Sequence, residues 1–217
     1  MLILLPPSEG KAKLETGEPM DLGSLVFAEA LGDRREQVLD ALDPALREAP
    51  AAPAAEVYTG VLYGRLDLPK LPKKARSRVL IASALWGFVR PDDRIPHYKL
   101  PPKTRLEGIG APAAFWRPAL AEAMPDREGE LIVDMRSGAY SSLWKPQRAT
   151  LLAVRAFTEQ NGERRAVSHM AKAVRGDVAR ALLRAKKSST DAADAAAIAE
   201  SAGFTVELSD DSLDVIV

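Results

Sequence analysis

The sequence predicts a mixed α/β (α+β) fold, a single domain over residues 1–217 in which a mixed sheet is flanked by helices. Three observations carry that expectation. Short apolar runs recur at Leu2–Leu5 (LILL), Val79–Ala82 (VLIA) and Leu131–Met135 (LIVDM), as expected of strands buried on both faces. Segments with apolar residues at helical spacing lie between them. Asn161-Gly162, set between two strand-like stretches, is the strongest hairpin signal in the chain. With 217 residues, 47% hydrophobic and 28% charged, the chain can bury a substantial core and has an ordinary globular composition.

Taken in order, Leu2–Leu5 is stopped by Pro6-Pro7 and feeds a loop. Residues 24–48 read as helix in two pieces, the second placing Val38, Leu39, Leu42 and Leu46 on one face after Asp33 as N-cap. Residues 49–55 (APAAPAA) read as a surface connector. The VLIA strand follows a basic stretch, Lys70–Arg78, and leads into SALWGFVRPDDRIPHYKL, whose prolines and glycine call for a folded, loop-rich segment. Ala113–Met124 reads as a helix carrying Phe115, Trp116 and Leu120. Leu151–Thr158 and Arg165–Met170 are the two hairpin strands, and a helix is expected from Asp177 to Lys187 with Val178, Leu182 and Leu183 inward. Thr190–Gly203 is an Ala-rich helix stopped by glycine, and Phe204–Leu208 and Leu213–Val217 are strands around a Ser-Asp-Asp-Ser turn.

Composition excludes several kinds of chemistry. With no cysteine there are no disulfides, zinc ribbons, iron–sulfur clusters or thiol redox sensing. The two histidines, His97 and His169, read as hydrogen-bonding residues, so neither a metal site nor a cofactor is expected. No apolar run approaches the roughly 18 residues of a spanning helix. MLILLPP lacks a basic segment and a cleavage signature, so the expected location is the cytoplasm, with no membrane partner. The formal net charge is zero, but from Ser188 onward there are seven acidic residues and no Lys or Arg, which leaves +7 on residues 1–187. Two basic stretches, Lys70–Arg78 and Arg164–Lys187, are therefore candidates for a polyanionic partner, against the alternative of solvated surface charge.

Familiar catalytic motifs are missing. Gly10-Lys11-Ala12 lacks the earlier glycine and the following Ser/Thr of a phosphate-binding loop, and GxGxxG, HExxH and GxSxG do not occur. What remains are polar residues where strands end, the place where open α/β sheets bind ligands. Ser8 and Lys11 follow the first strand. Ser83, Arg90, Asp93, His97, Tyr98 and Lys99 follow the VLIA strand. Arg136, Ser137 and Tyr140 follow LIVDM, and His169, Lys172, Arg175 and Gly176 follow the last hairpin strand. Lys172, Arg175 and Gly176 stand just before an expected helix start, an arrangement suited to phosphate; the alternative is that Asp177 caps the helix and the cations are solvated. Arg90 to Asp93 either serves a ligand or forms a turn locked by an Arg–Asp pair. Trp86, Trp116 and Trp144 are stacking platforms or core anchors, with Trp86 expected inside.

Ser83–Leu106, SALWGFVRPDDRIPHYKLPPKTRL, resembles the hallmark segment of the YaaA family of peroxide-stress proteins, with matches at Ser83, Leu85, Gly87, Arg90, Pro91, Asp93, Ile95, Pro96, Tyr98 and Leu100. MLILLPPSEGK, Val57-Tyr-Thr-Gly60, Phe115-Trp116, Arg136–Tyr140 and Lys172–Gly176 are similar to further family elements in the same order. The first loop (PPSEGK) and Gly138-Ala139 depart from the family pattern, as in a divergent branch. The resemblance implies a YaaA-like fold with a basic cleft. It also implies DNA binding through a helix-hairpin-helix-like element, and protection from free-iron damage.

Two functions compete. The first is a stress protein binding DNA by backbone contacts, with Ser8, Lys11, Arg90, Lys99, Arg136, Ser137, Tyr140, His169, Lys172, Arg175 and Gly176 as candidate phosphate ligands. The second is an enzyme for a nucleotide, nucleobase or other small anionic substrate, with Lys11 or Tyr98 as acid/base and Asp93 as an orienting group. Too few imidazole or soft ligands are present for direct iron chelation. A third role, protein interaction through the acidic end, has composition alone behind it.

Overall fold

A computed structural model of the chain describes residues 1–136, 138–160, 163–166 and 169–217. The chain enters on β1 (Leu2–Leu5), every residue of which is buried. Beside it lie β3 (Val79–Ser83) and β6 (Leu131–Asp134), both parallel to β1 and likewise buried throughout. Burial of successive residues means that both faces are covered, which explains why these runs are apolar without alternation. β7 (Thr150–Gln160) and β10 (Ser212–Ile216) extend the parallel core, so that β3-β1-β6-β7-β10 run the same way. Three antiparallel strands complete an eight-stranded sheet among the described residues. β4 (Gly87–Val89) folds back on β3, β9 (Thr205–Leu208) on β10, and β8 (Glu163–Ala166) on the far end of β7. The predicted mixed α/β class holds.

The helices are α1 (Ala28–Leu42), α2 (Ala54–Val57), α3 (Val61–Leu66), α4 (Lys73–Arg76), α5 (Pro112–Ala123), α6 (His169–Arg184) and α7 (Ala192–Ser201). Several boundaries differ from the sequence expectation. α1 begins at Ala28 behind a left-handed Phe27 (φ 58°), so Asp33 lies inside the helix and caps nothing; Leu46 falls on a separate 3₁₀ turn capped by Asp43. The 49–55 connector holds a strand, β2 (Ala51–Pro53), paired antiparallel with β5 (Arg94–Pro96) in a small second sheet. Pro53 fits there because an edge position needs no N–H. α6 starts at His169, eight residues before Asp177, so the hairpin's second strand ends at Ala166. The Asn161-Gly162 turn lies outside the described residues, but β7 and β8 pair on either side of it.

Part of the acidic C-terminal stretch is engaged within the fold. Asp214 on β10 pairs with Arg155 on β7 at 2.6 Å, Glu207 on β9 pairs with Arg164 on β8, and Asp191 caps α7. Among the described residues no helix is long and apolar enough to cross a membrane.

Candidate functional site

The loop after β1 and the corner between α2 and α3 close on each other. Ala12 N donates to Val57 O at 2.8 Å, Thr59 N donates to Gly10 O at 3.1 Å, and Ser8 Oγ donates to Thr59 O. Gly60 has φ 105°, and a Cβ there would lie 2.8 Å from Ser8 Oγ, so a side chain would be strained and would push the two loops apart. This closure sets Lys11 against aromatic rings. Its Nζ donates to Ser8 O at 2.7 Å and lies 4.4 Å from the ring centroid of Tyr98 and 5.5 Å from that of Tyr58. Burial pushes the Lys11 amine down to about 8, against the opposing pull of Glu9.

All four tyrosines of the chain gather here. Tyr58 and Tyr98 share a 2.7 Å hydroxyl contact, and Tyr98 shares another of 2.7 Å with Ser83 at the carboxyl end of β3. Tyr63 stacks on Tyr58 with centroids 5.4 Å apart and donates to Pro6 O at 2.7 Å. Tyr140, after β6, lies near Tyr58, Tyr63 and Tyr98. Burial holds the phenols of Tyr58, Tyr63 and Tyr98 well above their usual range and raises Tyr140 to about 12, so all four are neutral donors near pH 7.

Other residues expected at this site belong to the scaffold. Asp93 accepts from the backbone N–H groups of Val26 at 3.0 Å and Arg90 at 2.8 Å, which fixes a turn. Its counter-charge is Arg35, a fully buried α1 residue whose guanidinium donates to the carbonyls of Trp86, Val26 and Phe88. Burial lowers Arg35 to about 10, with Asp93 opposing. Asp93 therefore locks the turn, but through the Arg90 backbone rather than its guanidinium. The exposed Arg90 side chain leaves β4 at the opposite end of the sheet, in a hollow with Leu2, Ser77 and Arg127. It does not join Lys11, because β4 runs antiparallel to β3.

Arg136 is buried and bidentate to Asp134 at 2.8 and 2.9 Å, and also donates to the carbonyls of Tyr140 and Trp144. Four of the five N–H groups of its guanidinium have these acceptors, so its position orders the loop carrying Tyr140. Lys172 falls in the first turn of α6, while Arg175 and Gly176 lie further along the helix rather than before its start. Arg175 donates to Val154 O on β7 at 2.9 Å, and Lys172 is exposed. Gly176 is where α6 crosses α3: a Cβ would lie 2.5 Å from Leu62 O. Asp177 pairs with Arg65 on α3 at 2.8 Å and caps nothing. Lys99 and His97 are exposed, while Trp86, Trp116 and Trp144 are core. Ser137 and the side chain of His169 lie outside the described residues.

The structure thus brings together Ser8, Lys11, Ser83, Tyr98 and Tyr140 from three strand ends, and adds Tyr58 and Tyr63, which the sequence reading did not place in a site. A separate feature gathers the basic stretches. Lys70, Lys74 and Arg78 line a groove of about 550 Å³ together with Arg184, the last residue of α6, and Lys186 beyond it, and no carboxylate lines it. Lys70 is paired with Asp67 at 3.1 Å, and Arg78 donates to Ser188 Oγ and Leu183 O; Lys74, Arg184 and Lys186 are exposed. Among the described residues no group of three or more His, Asp or Glu side chains is placed to hold a metal ion.

The fold and this site define an α/β protein whose parallel strand ends carry a half-buried lysine inside a cluster of phenols. A family model described as "Peroxide stress protein YaaA" matches residues 12–209, and the chain belongs to that family. It is 39% identical to a UPF0246 protein of Corynebacterium efficiens over 97% of this chain and 96% of the relative. A UPF0246 protein of Streptomyces coelicolor is also 39% identical, over 84% and 83% of the two chains. An uncharacterized protein of Campylobacter jejuni is 29% identical over 81% and 82%.

Proposed function

We propose that this peroxide-stress family member binds double-stranded DNA by backbone contacts in the groove between α4 and the end of α6. The observation that carries this reading is the meeting of two basic stretches, remote in sequence, around one groove with no carboxylate in its lining. Backbone phosphates fit such a surface because each neutralised phosphate releases a condensed counterion. Occupying the phosphates where iron would otherwise associate connects the binding to limited free-iron damage under peroxide, with no iron site on the protein. The cytoplasm is the compartment in which this role is exercised.

The test is duplex binding followed by fluorescence anisotropy across a salt series. Contacts from three to five cations give a log–log salt slope of about −2.7 to −4.5. Lys74→Ala and Lys186→Ala each reduce that slope by about 1 without altering the fold. Absence of binding at about 50 mM salt, or slopes unchanged in both variants, overturns the proposal.

A second reading rests on Lys11. An amine titrating near neutrality against neutral phenols is equipped for acid/base work on a small anionic substrate. Tyr98 keeps its expected place in this reading, whereas the Asp93 carboxylate is engaged by the backbone N–H groups of Val26 and Arg90.

A further inference from the structure

The hollow that holds the Arg90 side chain lies near the amino ends of β1 and β3, away from Lys11. Its volume is about 520 Å³, and Leu2, Phe27, Leu80, Ala123, Met124 and Pro125 give it an apolar wall. Arg90 and Arg127 also line it. Both are exposed, and neither guanidinium has a hydrogen bond or ion pair among the described residues. The one carboxylate in the lining, Asp126, is turned to the neighbouring loop. It accepts there from the backbone N–H groups of Gln147, Arg148 and Ala149 at 2.7, 2.9 and 2.8 Å.

Buried charge holds this hollow in shape. Asp93 Oδ2 accepts from the N–H of Arg90 at 2.8 Å and from that of Val26 at 3.0 Å. A single oxygen thus ties the root of the Arg90 side chain to the residue before Phe27. Arg35 donates to the carbonyl of the same Val26 at 2.7 Å. With both backbone groups of Val26 fixed, Phe27 enters α1 through left-handed backbone (φ 58°), which is costly for a bulky residue. Glycine or asparagine would adopt that backbone readily, yet an aromatic ring stands there, half-buried on the wall of the hollow. Strained residues that their surroundings over-determine in this way cluster at ligand clamps. Two guanidiniums without partners supply what an anionic head requires, and the ring and aliphatic wall supply what an apolar body requires.

We propose that this hollow binds a small organic anion, a phosphate or carboxylate carrying a compact apolar or aromatic body. Arg90 and Arg127 hold the head, and Phe27 packs against the body. The hollow shares no lining residue with the α4–α6 groove, so the site is independent of DNA binding, and it is equally independent of the Lys11 reading.

The test is titration of the full chain with phenyl phosphate, benzoate and inorganic phosphate at fixed ionic strength, followed by amide chemical shifts. Burial of about 60 Å² of ring surface makes the better aryl anion bind about 10-fold tighter than inorganic phosphate. The tighter of phenyl phosphate and benzoate identifies the head. The largest shifts are expected at Phe27, Arg90 and residues 124–127. Arg90→Gln and Arg127→Gln, both at exposed side chains, each weaken binding by about 5-fold with no change in Tm. Phe27→Asn suits the left-handed backbone, so the chain folds, and the preference for the aryl anion falls to about 2-fold or less. An aryl preference absent from the unmutated protein, shifts centred on Lys74 and Lys186 instead, or affinity unchanged in both arginine variants overturns the proposal. So does a preference that persists in folded Phe27→Asn.

Discussion

Gly176→Ala puts the crossing of α3 and α6 under direct test. In an open helix interior the substitution stabilises by about 0.5–1 kcal/mol, because glycine loses more backbone entropy on folding. At Gly176 the added Cβ would lie 2.5 Å from the carbonyl oxygen of Leu62 and 2.9 Å from Cβ of Arg65, both far inside contact distance. The nearest atom is backbone, so relief requires the two helices to separate, and overpacking of that kind costs about 1–3 kcal/mol. The net expectation is destabilisation by about 1–2 kcal/mol, which for a chain of this length lowers Tm by roughly 2–8 °C. Gly32, within α1, has nothing within 4 Å of an added Cβ, so Gly32→Ala is expected to raise Tm by roughly 1–4 °C. Calorimetry or thermal circular dichroism of the two variants reads opposite signs for the same chemical change. An increase in Tm for Gly176→Ala would refute the close approach, and would reopen the role of this glycine as a backbone site for phosphate.

Two further outcomes follow from buried charge. Arg35→Met strips the carbonyls of Trp86, Val26 and Phe88 of their donor and leaves Asp93 without its counter-charge, so destabilisation of about 3–5 kcal/mol is expected in urea unfolding. Lys11→Met bears on pH. The folded-state pKa of Lys11 is about 8, below its ordinary 10.5, so the unfolded chain binds more protons between those values and stability rises with pH across that window. Lys11→Met is expected to be more stable than the parent at pH 7, and the difference should shrink as pH rises from about 8 towards 10.5. A pH-independent difference would show that Lys11 is not desolvated.

The core of the sheet was readable because β1, β3 and β6 are buried on both faces, and such strands leave unbroken apolar runs. α6 was misread at its start because Gly176 interrupts the helical pattern; what makes glycine favourable there is Leu62, on a helix far away in sequence. Arg35 shows the reverse problem. Within Asp33-Arg-Arg-Glu36 it looks like one of several solvated charges, and only the carbonyls of β4 and its neighbours reveal a buried guanidinium. Strand-end reasoning found Ser8, Lys11, Tyr98 and Tyr140. It missed Tyr58 and Tyr63, which come from the α2–α3 corner rather than from a strand end. The Val57-Tyr-Thr-Gly60 element was visible, and its glycine next to a tyrosine was the available signal. The two basic stretches were equally visible, but their meeting depends on the packing of α4 beside the end of α6.

β7 serves three partners in succession. Thr150–Ala153 pairs with β6, Ala153–Phe157 with β10, and Phe157–Gln160 with β8. Within the sheet this strand alone joins the β9–β10 pair to the segment that carries Lys11, so neither half can open without tearing a ladder in the middle of the molecule. Hydrogen exchange should accordingly find no stable half-molecule. The amides of Ala153–Phe157 are expected to exchange only through global unfolding, at the same free energy as those of β1.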